Sequence, residues 1–232
     1  MAGLATFSGS DLSRFGDAIR AIPRRVRTME ESAKAVTDFL WDELHDDLAL
    51  VRLYKTHPYA QLPGELQEFA GGLTGGVPSP DVRCLTLLAT RGLEPEWNDR
   101  RMSEGHKAIP LPNVEFVQRL PMVAGLVEQL GLELADVVQP ERKRVLELAQ
   151  RTYGVFHVEE AAGSPFVPAQ EFVERHGVRS ALGFGGVLYT GDFFAVVVFA
   201  RVHVDARTAD VVRVLSLATR VALLPFGMRV FD

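Results

Sequence analysis

Seven residues of chemistry-bearing type fall within ten positions: Trp97, Asn98, Asp99, Arg100, Arg101, Ser103 and His106. Arg100 and Arg101 could fork onto a carboxylate or phosphate. Trp97 could stack on a flat ligand. Asn98, Ser103 and His106 add hydrogen-bonding groups. The same segment also reads as an ordered polar loop, with Asp99 paired to an arginine and Trp97 in the core. His106 could further offer one axial nitrogen to a haem, which would also need an apolar cavity. Haem is the one cofactor these residues bring to mind; no ligand is identified by them.

Other chemistries find less support. The six histidines (45, 57, 106, 157, 176 and 203) form no HxH or HExxH pattern. Glu159 and Glu160 are adjacent, so a strand would point them to opposite faces and they cannot work as a pair. Cys84 has no visible base beside it and reads as a small buried hydrophobe. The stretch "GFGGVLYTG" (183–191) is followed by a strand where a dinucleotide fingerprint would need a helix, so its glycines are expected to serve a bulge and a tight turn. There is no GxSxG elbow and no Walker lysine motif. The chain is therefore expected to be non-catalytic.

Composition narrows the partners. The 232 residues carry a formal net charge of -5, which argues against a general nucleic-acid binder. A basic cluster at Arg20, Arg24, Arg25 and Arg27 precedes an acidic stretch holding Glu30, Glu31, Asp38, Asp42 and Glu43, as on a solvated helix. A single cysteine permits no disulfide framework and suits a reducing cytoplasm. No signal-like start occurs, and no apolar run approaches membrane-spanning length.

The elements that must position these residues follow from periodicity. Val26, Met29, Ala33, Val36 and Leu40 alternate at spacings of three and four, which predicts a helix over 26–44 with a narrow seam for one partner helix. Strands are expected at 48–56 and 82–90, around a Gly/Pro loop at 71–80. Prolines exclude any long helix or strand through 97–112. Helical spacing recurs over 113–132, interrupted by Pro121, and over 140–153. "GVFHVEEA" reads as a strand and 164–177 as a short helix ending at Gly177. Segments 178–189 and 193–205 form a hairpin about "TGD". It leads into a final helix, 206–224, capped by Asp205. On the hairpin, alternation places Arg179, Ala181 and Gly183 on one face, and Ser180, Leu182 and Phe184 on the other. Arg179 and Phe184 join the candidate binding residues. The fold class is α+β, a central mixed or antiparallel sheet flanked by helices, with the N- and C-terminal helices packed together. Residues 1–25 form an N-terminal segment and 26–232 a single domain.

This order, the hairpin "SALGFGGVLYTGDFFAVVVFARV" and the segments "LVRLYKTHPY" and "LTLLATRGLEPEWNDRRMSEGHKAIPL" resemble GAF-type sensory domains, relatives of PAS domains. The resemblance covers most of residues 26–226. It implies a ligand pocket between the sheet and the loops and short helices on one face, with 97–112 as part of its cover. It also implies a bacterial signalling role, homodimerisation through helices 26–44 and 206–224, and a histidine kinase or other signalling partner. The chain departs from the better-defined branches. It has no cyclic-nucleotide signature, no Cys-His pair for a bilin (Cys84 precedes Leu85), and one cysteine where the sulfoxide reductases use several. No output module is attached, so a sensor of this kind would act alone, through a partner, or as part of a longer chain. The expected function is a cytoplasmic, small-molecule-binding regulatory domain. The alternatives are an interaction module without ligand, a haem sensor and, ranked last because no nucleophile–base constellation appears, an enzyme using Cys84 or His106.

Overall fold

A computed structural model describes residues 3–231; the first two residues of the expected N-terminal segment and the last of the expected domain lie outside them. The sheet has six strands in the order β3-β2-β1-β6-β5-β4, every neighbour antiparallel. These are β1 (Leu48–Pro58), β2 (Arg83–Gly92), β3 (Ala108–Leu111), β4 (Phe156–Val158), β5 (Ser180–Val187) and β6 (Phe193–Ala200). β6 is apolar throughout and wholly buried, because the sheet is covered on both faces. Phe194, Val196 and Val198 enter one core layer, and Phe193, Ala195, Val197 and Phe199 the other. The fold class is α+β as expected.

The first layer is closed by the terminal helices. They are α1 (Gly9–Ala21), α2 (Met29–Leu44), α9 (Ala206–Val212) and α10 (Leu215–Leu223), with α3 (Gly64–Thr74) at the sheet margin. In α2, Met29, Ala33, Val36 and Leu40 are all buried. The seam seen in the sequence therefore faces this chain's own core. Thr28 caps the helix by accepting from the Glu31 amide at 3.1 Å. The Met29 and Glu30 amides donate to the carbonyls of Arg229 and Val230, both at 2.9 Å, so the chain's last described residues lie across the start of α2. α2 and α10 pack together, and Ser32 Oγ donates to the Ala222 carbonyl at 2.8 Å in the buried contact.

The second face carries α4 (Val114–Gln118), α5 (Pro121–Gln129), α6 (Leu134–Val138), α7 (Arg142–Gln150) and α8 (Gln170–His176). Leu126, Val173 and Tyr153 meet Tyr54, Leu87, Phe156, Phe193 and Phe199 of the sheet there.

Several details differ from the sequence reading. Residues 9–21 are a helix, started by a capping box between Ser8 and Asp11, and its Phe15 and Ile19 are in the core. α3 runs into the expected 71–80 loop and stops at Gly75, whose φ of 69° suits glycine. The final helix breaks near Val214, where the valine-rich "VVRV" disfavours continuous helix and 3-10-type bonds link Val214 to Val211 and Ser216 to Arg213. β3 is a short strand inside the proline-bearing segment; Pro110 is tolerated because β3 is an edge. In β5, a Cβ on Gly185 would stand 2.1 Å from the Phe194 carbonyl oxygen, so this glycine admits the neighbouring backbone.

Candidate functional site

β3 pairs only with Arg83–Thr86 of β2, so the segment between the two strands lies beside the free half of β2. A 3-10 turn over Pro95–Asn98 begins it. Asn98 fastens the turn: its Oδ1 accepts from the Gly92 amide at 3.0 Å and its Nδ2 donates to the Glu94 carbonyl at 3.2 Å. Trp97 goes to the α8 face, edge-on to His176 and Phe172 with ring centroids 4.7 and 5.5 Å away. Gly92 is needed there, since a Cβ would come within 2.8 Å of the Trp97 ring.

Arg100 goes to the opposite face and is buried. Its Nε and Nη2 donate to the two oxygens of Glu30 at 2.6 and 3.1 Å, and its Nη1 to Glu65 at 2.9 Å. One guanidinium thus joins the segment, α2 and α3. Desolvation opposes its charge, but the two carboxylates outweigh it and hold its pKa above the usual value. Arg101 is exposed. Its Nη1 reaches Glu30 only at 3.4 Å, while its backbone amide donates to Asp99 at 2.9 Å. Ser103 is buried, donating to the Gly105 carbonyl at 2.9 Å and accepting from Arg52 at 3.4 Å. His106 lies at the surface with φ of 61°, in the left-handed region. Local desolvation and then the Arg52 charge lower its pKa.

Asn98, Asp99, Arg100 and Arg101 bound one side of a cleft of about 200 Å³. One wall is Glu30, Glu31 and Lys34 of α2. The floor is Leu88, Ala89 and Thr90 of β2, and the other wall is residues 98–101. Thr90 is 3% exposed, and its hydroxyl has no partner among the protein groups. A buried hydroxyl without a partner costs stability, and a bound polar group would satisfy it. The structure thus brings Asn98, Arg100 and Arg101 to one cleft. Trp97, Ser103 and His106 belong to the same segment but do not line it. Arg179 is exposed at the start of β5, and Phe184 is a fully buried core side chain. Glu30, Glu31, Lys34 and Thr90 were not singled out by sequence. The α2 residues lie some way along the chain from the segment, and only the Arg100–Glu30 pairing reveals the approach.

Other polar groupings are less open. A hollow of about 380 Å³ lies between Thr6–Gly9 and Asp205–Val211. Its Ser8 and Asp205 are already engaged as helix caps, to Asp11 and Thr208. Neither hollow is lined by His106. Buried Lys55 lies 2.7 Å from Asp192, which also pairs with Arg83 and accepts from Thr190 at 2.7 Å. Beside them His57 is 1% exposed, with neither ring nitrogen partnered among the protein groups. Burial and then the Lys55 charge push its pKa down to about 3. Burial pushes the Cys84 thiol up to about 12, the opposite of a nucleophile's setting. Among the described residues no group of three His, Cys, Asp or Glu side chains could hold a metal ion.

No protein-family model and no curated protein matches the chain. Solved structures similar to it include GAF domains. One is the phycocyanobilin-bound GAF domain from a cyanobacterial phytochrome, at 12% identity and TM-score 0.45, covering 94% of this chain and 96% of that one. Another is from an Acinetobacter phosphoenolpyruvate-protein phosphotransferase, at 14% identity and TM-score 0.43, covering 93% of each. A third is from the Coxiella burnetii phosphoenolpyruvate-protein phosphotransferase, at 11% and 0.45, again covering 93% of each. The antiparallel sheet flanked by helices is the α+β arrangement that the sequence resemblance implied. At such identities and scores no ligand, partner or residue role passes from these structures to this chain.

Proposed function

We propose that the chain is a non-catalytic sensory or regulatory module of bacterial signalling, acting in the cytoplasm, that binds a small molecule in the cleft between α2, β2 and residues 98–101. The observation that carries this reading is the Thr90 hydroxyl, buried and unpartnered on the floor of a charged, open cleft. No helix among the described residues is long and apolar enough to cross a membrane, which agrees with an aqueous setting.

The output would be mechanical. α2 supplies a cleft wall through Glu31 and Lys34, and between them Ser32 holds α10 through the Ala222 carbonyl. A ligand that favours one placement of α2 therefore biases α10. Val214, Leu217, Val221 and Leu224 stand exposed at spacings of three, four and three along α10 and its flanks. That stripe suits a matching stripe on a second copy. Dimerisation is thus assigned to the α10 face, because the corresponding residues of α2 are buried. A histidine kinase or other signalling protein would read the altered dimer. The exposed stripe equally serves a ligand-free interaction module, the second reading.

Native mass spectrometry of gently purified protein tests the first reading, followed by titration of any co-purifying compound into Arg101→Ala and Thr90→Val. The expected result is stoichiometric small-molecule binding that both substitutions weaken while circular dichroism stays unchanged. Binding indifferent to both removes the cleft as the site.

A further inference from the structure

We infer that the cleft recognises a small zwitterion of the α-amino-acid class, an inference that rests on the ligand-binding reading above. The first support is the pattern of spare hydrogen-bonding capacity. Arg101 is the cleft cation without a tight partner: the Glu30 oxygen nearest to it, at 3.4 Å, already receives Arg100 Nε at 2.6 Å. Its Nη1 also lies 3.9 Å from Asp99 Oδ1, so these loose pairings leave the rest of its planar fork open to a carboxylate. Arg100 is committed to Glu30 and Glu65, and Lys34 lies 2.5 Å from Asp38.

The carboxylates are also partly spent. Asp99 takes the Arg101 amide on Oδ1, and Glu31 takes the Arg27 amide on Oε2 at 2.6 Å. Each has a second oxygen left for an ammonium group. The lining holds three carboxylates and three cations, so its formal charge is balanced. A ligand that is only an anion would bring no ammonium group to Glu31 and Asp99, and one that is only a cation would bring no carboxylate to Arg101. Either mismatch discriminates against that ligand. A molecule bearing both charges meets both walls.

Size and floor narrow the class. About 200 Å³ is room for roughly six or seven waters at ~30 Å³ each, below the span of drug-sized pockets. That volume takes a compact amino acid. Leu88 and Ala89, 1% and 3% exposed, close the floor with apolar residues beside the unpartnered Thr90 hydroxyl. A side chain combining a few carbons with a hydroxyl or other polar group satisfies all three.

The test is calorimetry on the full chain with the L-amino acids as probes, beside the matched acids lacking the amino group and the matched amines lacking the carboxylate. At least one small L-amino acid is expected to bind one per chain, with both truncated analogues weaker by at least about tenfold. Arg101→Ala and Asp99→Asn should each cost about tenfold, and Arg101→Lys less than Arg101→Ala because the fork is lost but the charge kept. Thermal melts confirm that each variant is folded. If no amino acid binds, yet another small molecule does so in a manner weakened by Thr90→Val, the zwitterion inference falls and the ligand-binding reading stands. Binding of an amino acid unaffected by Arg101→Ala, Asp99→Asn and Thr90→Val overturns the inference and the cleft together.

Discussion

Arg100 and Arg101 are adjacent in the chain and opposite in environment, and this decides what each substitution tests. Arg100 is 6% exposed and holds Glu30 and Glu65 together. Arg100→Ala should therefore cost about 3–5 kcal/mol, because Glu30 loses its main partner while remaining buried. Arg101→Ala should stay within about 0.5 kcal/mol of wild type, as surface substitutions do. Urea unfolding of the two variants measures the contrast, and equal losses would contradict the paired role of Arg100. His57 gives a pH signature. Its folded pKa of about 3 lies below the ordinary 6.5, since burial and the neighbouring Lys55 charge favour the neutral ring. The unfolded chain binds the proton more readily, so this contribution is fully present above pH 6.5 and is lost as pH falls towards 3. From pH 7 to 4.5 it amounts to roughly 3 kcal/mol. His57→Leu should flatten the wild-type fall in stability over that window. Parallel pH profiles for the two proteins would show that another group carries it.

At the scale of elements, the legible features were those set by local periodicity. The hairpin was read from "FFAVVVFA" flanking a glycine turn, and the Asp205 cap from its place before the last helix. The α2 seam was legible as a helix but not in its direction: spacings of three and four specify one apolar stripe, and either a partner helix or the chain's own sheet can cover it. α1 escaped notice because Phe15 and Ile19 supply few apolar positions among serines, aspartates and arginines. β3 was hidden by its brevity and by Pro110. Half of the cleft was legible, since 98–101 stood out by composition. The α2 wall was not, because Glu30, Glu31 and Lys34 look like any solvated helix face until the fold sets them against β2. The α2–α10 contact carries its own prediction. Ser32→Ala removes one buried hydrogen bond and should cost about 1 kcal/mol in unfolding experiments. It should also weaken the effect of bound ligand on α10, read as amide exchange over residues 215–223. Unaltered coupling would mean that packing alone transmits the shift.

For the whole molecule, the proposed assembly rests on the outward side of α10. One sheet face is filled by α4–α8, and the other by α1, α2, α9 and α10. The apolar side chains that remain outward on these terminal helices gather along α10: Leu217 and Val221 are each 43% exposed, with Val214 and Leu224 beside them. Met228, in the turn just beyond, is 98% exposed. Arg213 and Arg220 flank this stripe, but each is drawn back onto its own chain, to the carbonyls of Tyr153 and Ala149. Two copies could therefore meet along α10 without burying two free guanidinium groups against each other. Sedimentation velocity should show a concentration-dependent dimer for the wild type. Leu217→Glu with Val221→Glu should give a monomer, since four carboxylates would be brought into one seam. The double variant should keep its fold and its ligand affinity, because neither residue lines the cleft. A wild type that sediments as a monomer at every concentration assigns the stripe to a different partner, and the signal from the cleft would then reach that partner through the same helix.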